Sequence, residues 1–238
     1  MADLKEYGYD PSYGRYCDHT VLRAYTSWGT VMEFCEEAKK YGAASVCVNP
    51  CNVKRAHDCL AGTGVKTSTV VGFPLGANKT GIKAAEAAAA IADGADEIDM
   101  VMNIGAVKSG DWDYVEKDIA AVVHGAGGKA LVKVIIETCY LTEDEKVRAA
   151  ETAIRAGADF IKTSTGMGTD GATAEDVRLL AGIAAGRAKV KASGNVACRR
   201  EAYEMLKAGA DRLGISRLPQ IVNDDVSMPS AATKNKPL

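Results

Sequence analysis

Four charged residues interrupt otherwise apolar stretches of this sequence, and their types suggest amine chemistry. Residues 158–166 read A-D-F-I-K-T-S-T-G, so Lys162 follows an apolar run and precedes a loop of hydroxyls and glycine. Lys133, Lys191 and Asp99 lie in comparable apolar runs. A lysine at its ordinary pKa is protonated near neutral pH and is not a nucleophile. Because burial and a neighbouring cation both lower a lysine pKa, this pattern predicts a reactive amine.

A free lysine amine can break a carbon–carbon bond without a metal or cofactor, and none is predicted here. The amine attacks a carbonyl to form a carbinolamine and then an imine, and the protonated imine withdraws electrons from the neighbouring bond. An acid–base pair must carry protons through these steps. Asp99 with Lys191, acting through a water, is predicted to be that pair.

Strand periodicity predicts that these four residues point to a common interior. Alternate residues of a strand face the same side, so Asp99, Lys133, Lys162 and Lys191 fall on mixed faces whose opposite faces are apolar. One interpretation is structural, with the lysines paired to Asp99 and Glu137 as buried ion pairs. Three lysines that point inward would have few carboxylates to pair with, and an unpaired buried charge costs several kcal/mol. A functional role is therefore favoured.

A short motif of the type Gly-Ala-Asp recurs and organises the chain. Its copies occupy residues 41–46, 93–98, 156–161 and 208–213, so they are 52, 63 and 52 residues apart. Each copy follows an alanine-rich amphipathic segment and precedes a β-type run, as expected where glycine ends a helix before a strand. A βα unit takes about 25 to 30 residues, so each interval holds two units.

This spacing predicts eight strands, at residues 16–21, 45–49, 66–73, 97–103, 130–137, 159–164, 188–193 and 212–216. The intervening helices are predicted at residues 28–40, 52–60, 79–93, 111–124, 142–156, 173–185 and 198–208. Thr142 to Glu145 and Thr173 to Asp176 have capping-box spacing. The predicted fold class is α/β, a single (β/α)8 TIM barrel over residues 1–238, with a core at about 16–222 and a loose tail at 223–238. An open doubly wound sheet is the alternative.

Composition excludes several functional classes. The chain has 238 residues and a formal net charge of −2, which gives no electrostatic case for nucleic acid or an anionic membrane. No run approaches the ~20 apolar residues of a membrane span. Seven cysteines lack C-x-x-C spacing and three histidines are scattered, so we predict reduced thiols, no metal site and a cytoplasmic protein.

Several motifs of this sequence also resemble those of a known family. They are A-D-F-I-K162-T-S-T-G, V-K191-A-S-G, D-E-I-D99-M-V, L-V-K133-V-I-I-E-T, D18-H-T, S-V-C47-V-N-P and G72-F-P-L-G. In order and spacing they resemble the deoxyribose-phosphate aldolases, the short-chain class I aldolase family, from about residue 16 to residue 216.

The resemblance implies a reaction and residue roles. Lys162 would form the Schiff base, Lys191 would lower its pKa, and Asp99 would relay protons. The implied reaction is reversible cleavage of 2-deoxy-D-ribose 5-phosphate to D-glyceraldehyde 3-phosphate and acetaldehyde. The partners would be these small molecules and further copies of the chain, in a homodimer or homotetramer. A supporting role in the site is predicted for Asp18, Cys47, Lys133 and Thr163.

The predicted phosphate end departs from the family pattern. Gly166, Gly194 and Ser216 match positions whose backbone amides hold the phosphate in the family, and glycine loops expose N–H groups to anions. Asn195 replaces a second glycine, Ala197 replaces an arginine and Arg217 replaces a serine. Either the function is kept, with Asn195 and Arg217 in the phosphate site and Arg217 restoring a positive charge, or the substrate has shifted.

Two other functions compete with the aldolase interpretation. A phosphosugar isomerase on the same barrel would need a Glu or His base and no paired lysines. A non-catalytic barrel, retained as a scaffold or sugar-phosphate sensor, would fit the altered phosphate loops but would leave the lysine pair unexplained.

Overall fold

Eight parallel strands close into a barrel in the computed structural model, which describes residues 11–224. Each strand pairs with the next along the chain, and β1 pairs with β8. The strands are β1 Cys17–Val21, β2 Ser45–Val48, β3 Lys66–Val71, β4 Glu97–Val101, β5 Leu131–Ile135, β6 Phe160–Lys162, β7 Lys189–Ser193 and β8 Arg212–Ile215. The predicted TIM barrel is confirmed, and the open sheet is wrong.

Helices follow the strands and cover the outside of the barrel. They are α1 Trp28–Tyr41, α2 Val53–Leu60, α3 Thr80–Ala92, α4 Ile104–Lys108, α5 Trp112–Ala126, α6 Glu143–Arg155, α7 Ala174–Ala184, α8 Arg199–Ala208 and α9 Leu218–Asn223. Seven of them match predicted segments to within two residues. No helix of residues 11–224 is long and apolar enough to cross a membrane.

Two short helices were not predicted, and one of them corrects the boundary of the tail. α4 and α9 span only 5 and 6 residues, too short for a periodic pattern. The predicted tail starts at Asn223, yet this residue ends α9, and its amide donates to Pro219 O and the Tyr41 hydroxyl at 2.8 and 3.2 Å. Residues 225–238, the rest of that prediction, lie outside the described residues.

The recurring motif sets the lower end of the barrel, where the strands begin. Asp96, Asp159 and Asp211 each accept a hydrogen bond at 2.8 Å from a backbone N–H of the preceding strand. These aspartates therefore join the starts of β4, β6 and β8 to the strands before them. In each of the four copies of the motif, the next residue points into the interior at this lower end, which we call the barrel floor. These residues are Ser45, Glu97, Phe160 and Arg212.

The two faces of each strand separate as the alternation predicts. Ile98, Met100 and Val132 belong to the apolar core between strands and helices. The buried residues that point into the barrel interior include charged as well as apolar side chains. Examples are the apolar residues Val101 and Ile135 and the charged residues Asp99, Lys133 and Lys191.

Of the two predicted capping boxes, one is complete and one is half formed. Thr142 accepts from the N–H of Glu145, whose carboxylate accepts from the N–H of Thr142. Thr173 accepts from the N–H of Asp176 at 3.1 Å, but the Asp176 carboxylate instead pairs with Lys146 at 2.6 Å. Asp176 is therefore used to join α7 to α6.

Candidate active site

Lys162 is the last residue of β6, and the hydroxyl residues after it hold the following loop against β7. The Thr163 hydroxyl donates to Ser193 O at 3.3 Å and accepts from the N–H of Ser193 at 3.1 Å. The Ser193 hydroxyl donates to Ser164 O at 2.5 Å. The Thr163 backbone also donates to Lys191 O at 3.0 Å and accepts from the N–H of Thr138 at 2.9 Å. The hydroxyls therefore add to the backbone hydrogen bonds that hold the segment after Lys162 against β7.

The Lys162 side chain reaches a cavity of about 490 Å³ at the upper end of the barrel, where the strands end. Only 4% of the side chain is exposed. Barrel enzymes keep their chemistry at this end. Besides Lys162, the cavity lining includes Thr20, Arg23, Tyr25, Thr165, Gly166, Met167, Gly194, Asn195, Ala197, Ser216 and Arg217.

Asp99 lies at the centre of the interior and accepts from three lysines. Its Oδ2 lies 2.7 Å from Lys162 Nζ and 2.6 Å from Lys191 Nζ, and its Oδ1 lies 2.7 Å from Lys133 Nζ. The carboxylate is fully buried. Burial opposes ionisation of Asp99, but the ammonium groups outweigh it and hold its pKa well below the usual range. Asp99 is therefore a carboxylate that contacts the amine of Lys162.

Lys191 is held in its charged form by two carboxylates. Its Nζ lies 2.5 Å from Asp18 Oδ2 and 2.6 Å from Asp99 Oδ2. Burial lowers the pKa of Lys191, but the attraction of Asp18 and Asp99 outweighs burial and raises it above its ordinary value. Lys191 is therefore a fixed cation beside Lys162, its register partner on the neighbouring strand.

Lys162 differs from Lys191 in the direction of its pKa shift. Burial lowers the pKa of Lys162 and is the largest cause, Asp99 opposes it, and Lys191 lowers it further. Burial and a neighbouring cation are the two causes that the sequence analysis named for a lowered lysine pKa. One lysine of the pair is thus driven towards the free amine while the other keeps its proton.

The partners of Lys133 differ from those expected. Lys133 Nζ lies 2.6 Å from Glu97 and 2.7 Å from Asp99. The structural interpretation of the lysines named Glu137 as a partner, and this is wrong. Glu137 has a left-handed backbone (φ 54°), and its carboxylate accepts from the N–H and hydroxyl of Thr165. Glu137 anchors the loop after β6 instead of neutralising a lysine.

Two predicted supporting residues lie beside the charged cluster without lining the cavity. Cys47 is fully buried, and burial raises the pKa of its thiol, with Asp99 adding to the effect. This favours its interpretation as a small buried side chain over a reactive thiol. Thr163 is also fully buried and joins β6 to β7 through Ser193. Asp18, in contrast, binds Lys191 directly.

The residues of the predicted phosphate end come together around the cavity. Gly166 and Gly194 both have left-handed backbones, with φ of 77° and 76°. A Cβ on Gly194 would lie 2.8 Å from Gly171 Cα, so these two loops pack backbone against backbone. Asn195 tolerates its φ of 57°, and its amide donates to Asp170 at 2.5 Å. Ser216 and Arg217 complete this side of the cavity.

Two arginines of the cavity lining form no ion pair with any of residues 11–224. They are Arg217 and Arg23, of which sequence reasoning missed Arg23. Arg23 follows β1 by two residues, and a cation just beyond a barrel strand is a signal that would have found it. Sequence reasoning also missed Tyr25 and Thr165. Unpaired guanidinium groups suit an anionic substrate group, which they bind in a planar, forked geometry.

The cavity lining limits the chemistry available. Within the described residues it contains no Glu and no His, the side chains that the isomerase interpretation needs as a base. No group of three His, Cys, Asp or Glu side chains in residues 11–224 could hold a metal. The arrangement offers an amine with a lowered pKa, a neighbouring carboxylate and ammonium for proton transfer, and a cationic rim.

Comparison with known proteins places this chain among aldolases. A family model described as DeoC/LacD family aldolase matches residues 15–214. Over 208 residues the chain is 56% identical to a deoxyribose-phosphate aldolase of Bacillus cytotoxicus, covering 87% of this chain and 93% of the relative. A deoxyribose-phosphate aldolase of Bacillus cereus is 57% identical with the same coverage.

Solved structures show the same similarity. The aldolase QR15 superposes with a TM-score of 0.85 at 43% identity, covering 89% of this chain and 95% of that one. A tetrameric deoxyribose phosphate aldolase from Aeropyrum pernix has a TM-score of 0.85 at 29% identity, covering 92% of this chain and 93% of the other. The resemblance inferred from the motifs is confirmed.

Proposed function

The chain belongs to the DeoC/LacD aldolase family, and from this premise we propose that it reversibly cleaves 2-deoxy-D-ribose 5-phosphate through an imine at Lys162. The products are D-glyceraldehyde 3-phosphate and acetaldehyde. The chain is thus an enzyme of the aldehyde-lyase class. The observation that supports the imine is the buried amine of Lys162 at the cavity, with its lowered pKa, between Asp99 and the permanent cation of Lys191.

The reaction assigns a separate role to each charged group. The free amine of Lys162 attacks C1 of the open-chain sugar, and loss of water gives the protonated imine. Loss of the proton from the C3 hydroxyl lets the C2–C3 bond break, and its electron pair moves into the imine to give an enamine. Protonation of C2 and hydrolysis release acetaldehyde and regenerate the amine. Asp99 and Lys191 carry the protons, through a water.

Covalent trapping tests the proposal against a non-catalytic sugar-phosphate sensor. Native protein is incubated with acetaldehyde and borohydride, and intact mass and peptide mapping then locate any reduced adduct. We expect a two-carbon adduct on Lys162. A native protein that binds the sugar phosphate yet forms no adduct would favour the sensor.

Replacing Lys191 should move the pH dependence of the reaction. In Lys191→Leu the cation that disfavours the charged form of Lys162 is gone, and Lys162 no longer shares Oδ2 of Asp99 with another ammonium group, so the pKa of Lys162 rises. The free amine then appears only at higher pH. We expect the acidic limb of kcat/KM to move by about one pH unit or more towards alkaline pH. Lys191→Arg, which keeps the charge, is the control, and an unmoved limb in Lys191→Leu would contradict the role of Lys191.

Arg217 is proposed to bind the phosphate. A hydrogen bond to a charged group contributes roughly 1.5–3 kcal/mol, so Arg217→Ala should lower kcat/KM for the phosphorylated sugar by about 10- to 150-fold. Free 2-deoxyribose has no anion for Arg217 to bind and should react at nearly the same rate with both proteins. The measurement is kcat/KM for the two substrates.

Arg200→Ala is a matched control for this prediction, because Arg200 is an exposed arginine paired with Glu204 on α8. It should leave both substrates unaffected. Equal losses on both substrates in Arg217→Ala would show that Arg217 does not bind the phosphate. A wild-type protein that prefers free 2-deoxyribose would support a shifted substrate.

We also propose a homodimer or homotetramer that acts in the cytoplasm. The structure of the Aeropyrum pernix relative is described as tetrameric, which supports self-association. All seven cysteines are free thiols, which favours a reducing compartment. Light scattering on purified protein measures the oligomeric state, and a monomer at micromolar concentration would contradict this part of the proposal.

A further inference from the structure

We propose that Arg212, at the lower end of the barrel, is a positioning residue for Lys162: it balances the interior charge so that the site is neutral when Lys162 is an uncharged amine. The inference rests on the proposed imine at Lys162. Arg212 is the first residue of β8, whereas Lys162 is the last residue of β6. Both residues are register partners of Lys191 on β7, the strand between them, so Arg212 acts on Lys162 through the groups between the two side chains.

A continuous series of short contacts connects the Arg212 and Lys162 side chains. The Arg212 guanidinium lies 2.5 Å from Asp18 Oδ1, and Asp18 Oδ2 lies 2.5 Å from Lys191 Nζ. Lys191 lies 2.6 Å from Asp99 Oδ2, which lies 2.7 Å from Lys162 Nζ. Asp18 is therefore shared between Arg212 and Lys191, one oxygen to each. A change in the charge of Arg212 changes how strongly Asp18 attracts Lys191.

Arg212 also compensates a second carboxylate. Its guanidinium lies 3.1 Å from Glu97, whose other partner is Lys133 at 2.6 Å. The ring of Phe160 packs beneath these groups, with the Arg212 guanidinium 5.5 Å from its centroid. Lys133 and Lys189 approach the same ring at 5.9 and 5.7 Å. Arg212 is 14% exposed at its side chain, so the floor is nearly closed to solvent.

The charges of this interior balance in only one protonation state of Lys162. Among the described residues, the connected interior groups are the cations Arg212, Lys133, Lys191 and Lys162 and the carboxylates Asp18, Glu97 and Asp99. With Lys162 uncharged, three cations face three carboxylates. With Lys162 protonated, one positive charge is in excess. Because net charge in a low-dielectric interior is costly, the balance favours the reactive amine.

Other charged groups lie apart from this series, and Lys189, which approaches the Phe160 ring, is exposed to solvent. Glu137 is bound to Thr165, Lys83 to Asp118, and His19 to Glu37. Ser45 donates to Asp18 and Ser68 accepts from Lys133, and neither carries a charge. Cys47 faces the charged groups, but burial raises its thiol pKa and keeps it neutral. The balance therefore depends on the seven groups named above.

Substitutions of opposite sign test the inference. Arg212→Met removes a cation and should move the acidic limb of kcat/KM to higher pH, because the unbalanced negative charge favours the proton on Lys162. Glu97→Gln removes a carboxylate and should move the limb to lower pH. The expected size is about one pH unit in each direction, the order of magnitude for a unit charge that acts across several side chains at an effective dielectric constant near 20. Arg212→Lys should restore the wild-type position.

Two readouts are measured on each folded variant: the pH profile of kcat/KM, and the pH dependence of the rate at which borohydride traps the acetaldehyde imine. If the role of Arg212 were purely structural, Arg212→Met would lower the melting temperature and leave the acidic limb of both pH profiles in place. This result would overturn the inference. If Arg212→Met does not fold, Glu97→Gln decides alone, and an unmoved or alkaline-shifted limb would overturn it. Absence of any adduct in the wild type would instead refute the proposed function.

Discussion

Lys162→Arg should abolish formation of the reduced acetaldehyde adduct and lower kcat/KM for cleavage by at least about 10⁴-fold, as when one member of a catalytic unit is removed. Arginine retains a hydrogen-bond donor beside Asp99 but stays protonated, which leaves one positive charge in excess in the interior, and a guanidinium does not form an imine under these conditions. The measurement is intact mass after borohydride reduction, together with kcat/KM.

Lys54→Arg is the matched control, since Lys54 lies on α2 with 63% of its side chain exposed and pairs with Asp58. This variant should form the adduct at the wild-type rate. A melting curve for Lys162→Arg establishes that the protein is folded. An adduct of undiminished yield in folded Lys162→Arg would place the imine on another lysine, and Lys191 would be the first to test.

The fold could be predicted because its signals are local and repeated. The four copies of the Gly-Ala-Asp motif mark helix ends, and the alternation in Glu97 to Val101 and in Leu131 to Ile135 separates an apolar face from a charged one. Both signals act within a few residues. The barrel and the inward position of the lysines follow from them, whereas the family was indicated by the resemblance of the motifs around Lys162, Lys191 and Asp99. The roles of the site residues stay predictions.

The pairing inside the barrel could not be predicted, because it depends on closure of the sheet. Asp18 and Arg212 are 194 residues apart in sequence and meet only where β1 pairs with β8. Sequence alternation shows that Lys133 points inward, but it cannot distinguish Glu97 from Glu137 as its partner. Glu137 has a left-handed backbone and binds Thr165 instead of Lys133, and no local sequence pattern indicates this conformation.

Asp99→Asn should separate imine formation from turnover. The substitution removes the carboxylate that attracts the Lys162 proton and leaves Lys191 and Lys133 beside it, so the pKa of Lys162 falls further. The amine stays available, and trapping with acetaldehyde should persist near neutral pH. Because the carboxylate that carries protons during turnover is absent, kcat for the sugar phosphate should fall by about 10²- to 10⁴-fold. Both quantities are measured on the same preparation.

The cost of opening a buried ion pair must be separated from this catalytic loss. Removing one partner of such a pair destabilises a protein by about 3–5 kcal/mol, so Asp99→Asn should also melt at a lower temperature. Asp118→Asn provides the comparison: Asp118 is fully buried and lies 2.6 Å from Lys83, between α3 and α5 and away from the cavity. It should lose comparable stability and keep its kcat per folded molecule. If both variants lost kcat equally, Asp99 would be a structural anchor, and the proton path would have to run through Lys191 alone.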